Sequence, residues 1–255
     1  MLLAIDVGNT NTVLGLFRGD ELTESFRIKT DPRNTADEMM LTMRGLLSSA
    51  PRISGVALCA TVPAVLHEMR LMLDRYYNDV PRVIVEPGVK TGVQILTDNP
   101  REVGSDRIVN TLAAHHLYGG PCIVVDFGTS TNLDVVSARG DFLGGALAPG
   151  IQISLDALSA RAAQLRKVEL VRPRSVIGKN TVEALQSGAL YGFAGQVDGL
   201  VDHIKAELPD IEHVVATGGL AEIVIQESRT ITAHCPELTL IGLALVFAKN
   251  LATLT

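Results

Sequence analysis

The sequence predicts an α/β protein made of two copies of one unit, and three observations carry that expectation. Strand-like and helix-like apolar patterns alternate along the chain. An Asp-x-Gly turn set between apolar β-formers occurs at Asp6 and again 120 positions later at Asp126, a spacing of about one small domain. The 255 residues are 47% hydrophobic and 20% charged, which suits a chain with a sizeable core and excludes disordered, collagen-like and coiled-coil classes.

Leu2 to Ile5 and Val13 to Phe17 read as strands around the turn-rich segment 6–12, so they form a hairpin rather than a βα unit. Thr35-Ala36-Asp37-Glu38 fits a capping box, and Met39, Met40, Met43, Leu46 and Leu47 follow at helical spacing as core residues. Ile53 to Ala60 is a strand, Ala64 to Tyr77 a helix and Arg82 to Val85 a strand. Ser105 is placed as the N-cap of a helix through Ile108, Leu112 and Ala113.

The pattern then restarts. Cys122 to Val125 is a strand, 126–132 a turn and Leu133 to Val136 the returning strand. Ile5-Asp6-Val7-Gly8 matches Val125-Asp126-Phe127-Gly128, with Asn9-Thr10-Asn11-Thr12 set against Thr129-Ser130-Thr131-Asn132. Apolar Phe142 to Ala148 leads to a Pro149-Gly150 break and a helix over Ile151 to Ala163. The longest helix spans Val182 to Leu208, with Gly188, Gly192, Gly195 and Gly199 along one face, as expected where a second helix of the same or another subunit crosses closely. His213 to Ala216 is a strand ending in Thr217-Gly218-Gly219, and Leu238 to Leu251 is a closing apolar helix.

Charge and cysteine content exclude several classes. Twenty-two Lys plus Arg against 28 Asp plus Glu give a net charge of −6, with no basic block for nucleic acid or anionic membrane. Cys59, Cys122 and Cys235 lack metal-site spacing and read as buried reduced thiols. The N-terminus has no basic region, Asp6 interrupts its apolar run, and no stretch is long enough to span a bilayer, so a cytoplasmic location is expected. GxGxxG, GxSxG and HExxH are absent. Gly178-Lys179-Asn180-Thr181 fails as a P-loop, because no glycine stands five residues before Gly178 and asparagine follows the lysine.

The two Asp-x-Gly hairpins are the main chemical signal. A glycine turn followed by hydroxyl and amide side chains directs N–H and O–H donors at one point, which suits phosphate oxygens. The leading carboxylate would repel phosphate unless it helps to hold a cation such as Mg²⁺. Thr217-Gly218-Gly219 adds a strand-end turn that can lie against a ring or a phosphate. In this order the three elements resemble the superfamily of actin, the heat-shock chaperone ATPases and the sugar kinases. That resemblance implies ribonuclease H-like duplicated domains, here 1–118 and 119–255, with an interdomain ATP cleft. Asp106 and Arg107 allow two readings: a carboxylate complementing a helix start, or an acceptor of a hydroxyl proton beside a cation for a carboxylate or phosphate.

Asp6-Val7-Gly8-Asn9-Thr10, Lys90-Thr91-Gly92, Asp98-Asn99-Pro100, Glu102 through Arg107, Val125 through Thr129, Gly145 through Gly150 and Gly178 through Thr181 together resemble the type III pantothenate kinase family. The resemblance runs in order from Asp6 to Gly219. It implies ATP-dependent phosphorylation of the 4′-hydroxyl of pantothenate, the first step of coenzyme A synthesis, by a homodimer with its active site near the subunit interface. It further implies that Asp6, Val7, Gly8, Asn9, Thr10, Asn11, Thr12 and Val13 surround the ATP phosphates, with Asp6 helping to place Mg²⁺, directly or indirectly. Gly104, Ser105, Asp106 and Arg107 would line the pantothenate site, with Asp106 as general base and Arg107 facing the substrate carboxylate. Asp126 would hold K⁺ or NH₄⁺, Thr129 would touch ATP and Thr181 would reach the substrate. Two positions depart from the family pattern: Ser105 stands where alanine is common, and Thr97 where a tyrosine often meets the substrate. The residues leave room for a nucleotide-binding regulator or a kinase of another hydroxy acid, although a binding protein would be freer to lose Asp106.

Overall fold

The computed structural model describes residues 1–162 and 167–254, with side chains as far as 251. The chain forms two compact units, one of residues 1–93, 98–113 and 238–255, the other of 94–97 and 114–237.

The first unit opens with the antiparallel strands β1 (Leu2–Val7), β2 (Asn11–Arg18) and β3 (Glu21–Lys29). Helix α1 (Ala36–Leu46) follows, then β4 (Gly55–Ala60), α2 (Pro63–Tyr76) and β5 (Arg82–Ile84). The expected capping box is present: Thr35 Oγ1 accepts from the Glu38 N–H, and the Glu38 carboxylate accepts from the Thr35 N–H. β4 lies parallel to β1 and β5 parallel to β4, giving the sheet order β3-β2-β1-β4-β5. A 3₁₀ turn over Pro100–Glu102 precedes α3 (Ser105–Tyr118). Ser105 is the first helical residue rather than the cap. The Ile108 N–H is taken by the Gly104 carbonyl, so the helix starts one residue earlier than the side-chain cap implied.

The second unit repeats this plan. β6 (Cys122–Phe127), β7 (Ser130–Val136) and β8 (Phe142–Pro149) are antiparallel neighbours. After α4 (Ile151–Arg161) and α5 (Thr181–Glu207), β9 (His213–Thr217) lies parallel to β6. A short α6 (Ala221–Ile225) leads to β10 (Ala233–His234), parallel to β9. The order β8-β7-β6-β9-β10 reproduces β3-β2-β1-β4-β5, strand for strand and direction for direction. The expected end of α4 at Ala163 lies outside the described residues.

The final helix, α7 (Leu238–Leu254), belongs to the first unit, although the sequence division at 118/119 kept it with the second half. Its Leu240, Leu243, Val246 and Phe247 pack with Ala4, Ala57, Cys59, Val83 and Val109. The period-2 alternation of β1 explains this burial on both faces. Leu3, Ile5 and Val7 face the methionines of α1 and α2, while Ala4 faces α7. In the second unit Ile123, Val125 and Phe127 meet α4, α5 and α6.

Of two further expectations, one is corrected and one narrowed. Val7 pairs with Thr12 and Phe127 with Thr131, so the second turn is one residue shorter, and Thr131 rather than Asn132 is the counterpart of Thr12. No helix of the same chain crosses the four glycines of α5 among the described residues, since a Cβ built on Gly188, Gly192, Gly195 or Gly199 meets no atom within 4 Å, and of the two expected crossings only that by another subunit is left.

Candidate functional site

Strand alternation puts Asp6 on the face opposite Ile5 and Val7, at the carboxyl end of β1. Register then sets a row across the first sheet. Cys59 of β4 and Val13 of β2 are the direct partners of Asp6, and Arg27 of β3 is the partner of Val13. The Cys59 thiol donates to Asp6 Oδ1 at 3.3 Å. Burial pushes the Asp6 carboxyl up to about 6, opposed by the Cys59 hydrogen bond; the charge of Asp106 adds to the rise and Arg27 pulls against it. Burial, with the charges of Asp6 and Asp106, drives the Cys59 thiol well above its ordinary value, so the sulfur keeps its proton.

The turn after Asp6 is closed by the Gly8 N–H donating to the Asn11 carbonyl at 3.0 Å. Asn9 and Thr10 are exposed at its tip, while Thr12 is buried and hydrogen-bonded to Thr30 through their hydroxyls at 2.9 Å. The Thr30 N–H donates to the Thr10 carbonyl, so the residue that follows β3 braces the turn.

Asp106 sits in the first turn of α3, where helix N–H groups have no intrahelical partners. Its Oδ1 accepts from the Arg107 N–H at 2.9 Å. Burial raises its carboxyl above the ordinary value, opposed by that hydrogen bond and by the Arg107 charge. Gly104 makes room for this arrangement, because a Cβ there would lie 2.4 Å from Asp106 Oδ1. The Asp106 charge acts on both Asp6 and Cys59, so these three residues of the first unit share one electrostatic neighbourhood.

The second unit carries the equivalent row. Asp126 pairs with Thr217 of β9 and with Asn132 of β7, and Asn132 with Leu147 of β8. Gly218 follows with φ +92°, and a Cβ on it would lie 2.5 Å from Asp126 Oδ1, so the Gly-Gly turn lies against the aspartate and its strand. Thr129 is exposed at the turn tip. Thr181 is the exposed first residue of α5, capped by Asn180, whose side chain accepts from the Glu183 N–H at 2.9 Å. The Gly178–Thr181 motif thus builds a helix cap, and the rejected P-loop reading stays rejected. The Thr97 hydroxyl is buried with no hydrogen-bond partner among the described residues.

The residues allow a test of fit for the expected cations. No group of three or more His, Cys, Asp or Glu side chains gathers as a metal cage among the described residues. A divalent ion held by one carboxylate with phosphate and water oxygens fits that donor set; an all-protein site does not. Beside Asp126 the Asn132 Oδ1 is buried without a hydrogen-bond partner, an oxygen suited to a weakly charged cation. Sequence reasoning missed Cys59, Arg27 and Asn132 as neighbours of the aspartates, because only strand register brings them there.

Among the described residues no helix is long and apolar enough to cross a membrane. The sequence profile described as Type III pantothenate kinase matches residues 2–203. A type III pantothenate kinase of Frankia alni is 68% identical over 251 residues, covering 98% of this chain and all of the relative. Two solved structures share the fold across 98% of both chains. The (R)-2-hydroxyglutaryl-CoA dehydratase component A of Acidaminococcus fermentans has a TM-score of 0.56 at 14% identity, and the inorganic polyphosphate/ATP-glucomannokinase of an Arthrobacter strain 0.53 at 16%.

Proposed function

Because this chain belongs to the type III pantothenate kinase family, which phosphorylates pantothenate in the first step of coenzyme A synthesis, we propose how its own residues divide that work. Asp6 through Val13 surround the ATP phosphates, with the backbone N–H groups of the turn as donors. Thr129 touches ATP. Asp106 accepts the proton of the pantothenate 4′-hydroxyl, Arg107 binds the substrate carboxylate, and Gly104, Ser105 and Thr181 complete the substrate contacts. The observation that carries this reading is the packing of α3 on β1 and β4 through Val109, Ala4 and Cys59, which brings the helix start that bears Asp106 to the sheet that bears Asp6, whose carboxyl feels the Asp106 charge.

Phosphoryl transfer asks a protein chiefly for positioning and charge neutralisation. The donors of the first turn position the nucleotide, and Asp106, held at a helix start with its pKa raised, is poised to take a proton as the hydroxyl attacks. Mg²⁺ near Asp6 would supply charge neutralisation on the phosphate oxygens. Asp126, with the Asn132 amide oxygen beside it, would hold K⁺ or NH₄⁺.

We assign the homodimer to the open face of the second unit. That face is the row Gly188, Gly192, Gly195 and Gly199 of α5, against which no described atom packs. A monomer by light scattering at assay concentration overturns that assignment. A cytoplasmic location accords with three buried free thiols.

The test is ADP release from ATP and Mg²⁺, with and without pantothenate, in K⁺ and in Na⁺. Release that needs pantothenate and rises with K⁺ supports the assignment, and Asp126→Ala should abolish the K⁺ response. Pantothenate-independent release would point instead to another acceptor or to an ATPase.

A further inference from the structure

Cys59 is fully buried on β4, on the same sheet face as Ala4 and Ala57. If space filling were its whole task, alanine or valine would serve as well. Its sulfur instead lies 3.3 Å from Asp6 Oδ1 as a donor, and the in-register parallel pairing of β1 with β4 fixes the two residues side by side. Asp6 has few other sources of restraint on that row: its partner on β2 is Val13, which offers no polar side chain, and Arg27 stands one strand further away. A buried carboxylate beside a valine and no donor would turn or draw in water.

The second copy supports the same logic. The residue equivalent to Cys59 is Thr217, on β9 beside Asp126, again buried and again carrying one small side-chain donor. Thiol and hydroxyl differ in chemistry, but both place a single hydrogen-bond donor beside the hairpin aspartate.

We propose that Cys59 is a positioning residue, whose S–H group holds the Asp6 carboxylate in the orientation that receives Mg·ATP. The proposal rests on the assignment of Asp6 to the nucleotide phosphates. It adds a residue that touches neither substrate.

The test compares Cys59→Ser, Cys59→Ala and Asp6→Ala with the unaltered chain, using calorimetric binding of ATP with Mg²⁺ and with EDTA, in the absence of pantothenate. Cys59→Ser retains a donor and should bind Mg·ATP within about twofold of the parent. Cys59→Ala should weaken Mg·ATP about five- to tenfold, in keeping with loss of one hydrogen bond from a weak thiol donor, and leave ATP binding in EDTA unchanged. The infrared S–H stretch of the ligand-free protein gives a second readout: Asp6→Ala should move one thiol band to higher frequency as its acceptor disappears. Full Mg·ATP affinity in Cys59→Ala, alongside a loss in Asp6→Ala, overturns the positioning role and leaves Cys59 as packing. Full affinity in Asp6→Ala overturns the assignment of Asp6, and the proposal falls with it.

Discussion

The two hairpins share a scaffold and differ in what stands around the aspartate. Across the first sheet the row reads Cys59, Asp6, Val13, Arg27; across the second it reads Thr217, Asp126, Asn132, Leu147. The first has a longer turn and a cation two strands away, which suits an anionic ligand gripped by backbone donors. The second has a shorter turn and an amide oxygen in place of valine, which suits a cation. The closing helices differ likewise. α3 and α7 follow the last strand of each copy, yet only α3 carries an acid, Asp106, in its first turn. The two copies thus share one geometry and differ in the side chains beside the aspartate and in the acid at the start of α3, differences that the proposed division of roles would use.

The sharpest way to break this comparison is Asp106→Asn. If proton acceptance belongs to the first copy alone, turnover should fall about 10²- to 10⁴-fold while ATP affinity measured by calorimetry stays within about twofold. Turnover per bound ATP that survives the change would remove the asymmetry between the helices. Next in size is Phe247→Ala, which removes a ring of α7 from the first unit's core and should cost about 3–5 kcal/mol in urea unfolding. Hydrogen exchange should then speed up in β1 and β4 ahead of β6 and β9; the reverse order would show α7 supporting the other sheet.

A smaller effect separates folding from function at Asp6. Its carboxyl is raised from 3.8 to about 6, so the folded state binds a proton more tightly than the unfolded chain. The associated stability is complete below pH 3.8 and is lost as pH rises through 6, amounting to ~3 kcal/mol for a shift of about two pKa units. Asp6→Asn should therefore melt above the parent at pH 8 without ligand, and the gap should close toward pH 4. A gap independent of pH would mean that the charge of Asp6 is not what destabilises the ligand-free protein.

Local signals in the sequence reached far, and register set their limit. The β1–β2 hairpin, the Thr35–Glu38 cap and the repeated Asp-x-Gly turn are written in adjacent residues, and all are present. β3 escaped notice because it is an edge strand with mostly exposed positions and weak alternation, and β10 because two residues carry no period. The pairing of Asp6 with Cys59, 53 positions away, depends on how β4 slides along β1, which no local pattern records. The one-residue difference between the turns was hidden for the same reason: runs of Thr, Ser and Asn align equally well with or without the offset.

The return of α7 to the first unit has a consequence for the order in which the protein is made. During synthesis the first sheet leaves the ribosome with its α1 and α2 face covered and its other face covered only in part, by Val109 of α3, because Leu240, Leu243, Val246 and Phe247 are still to come. The second unit has all its own strands and helices before residue 238 and can close first. The half that begins the chain is therefore the half that finishes last, held until then as an open sheet whose exposed apolar face favours early attention from chaperones.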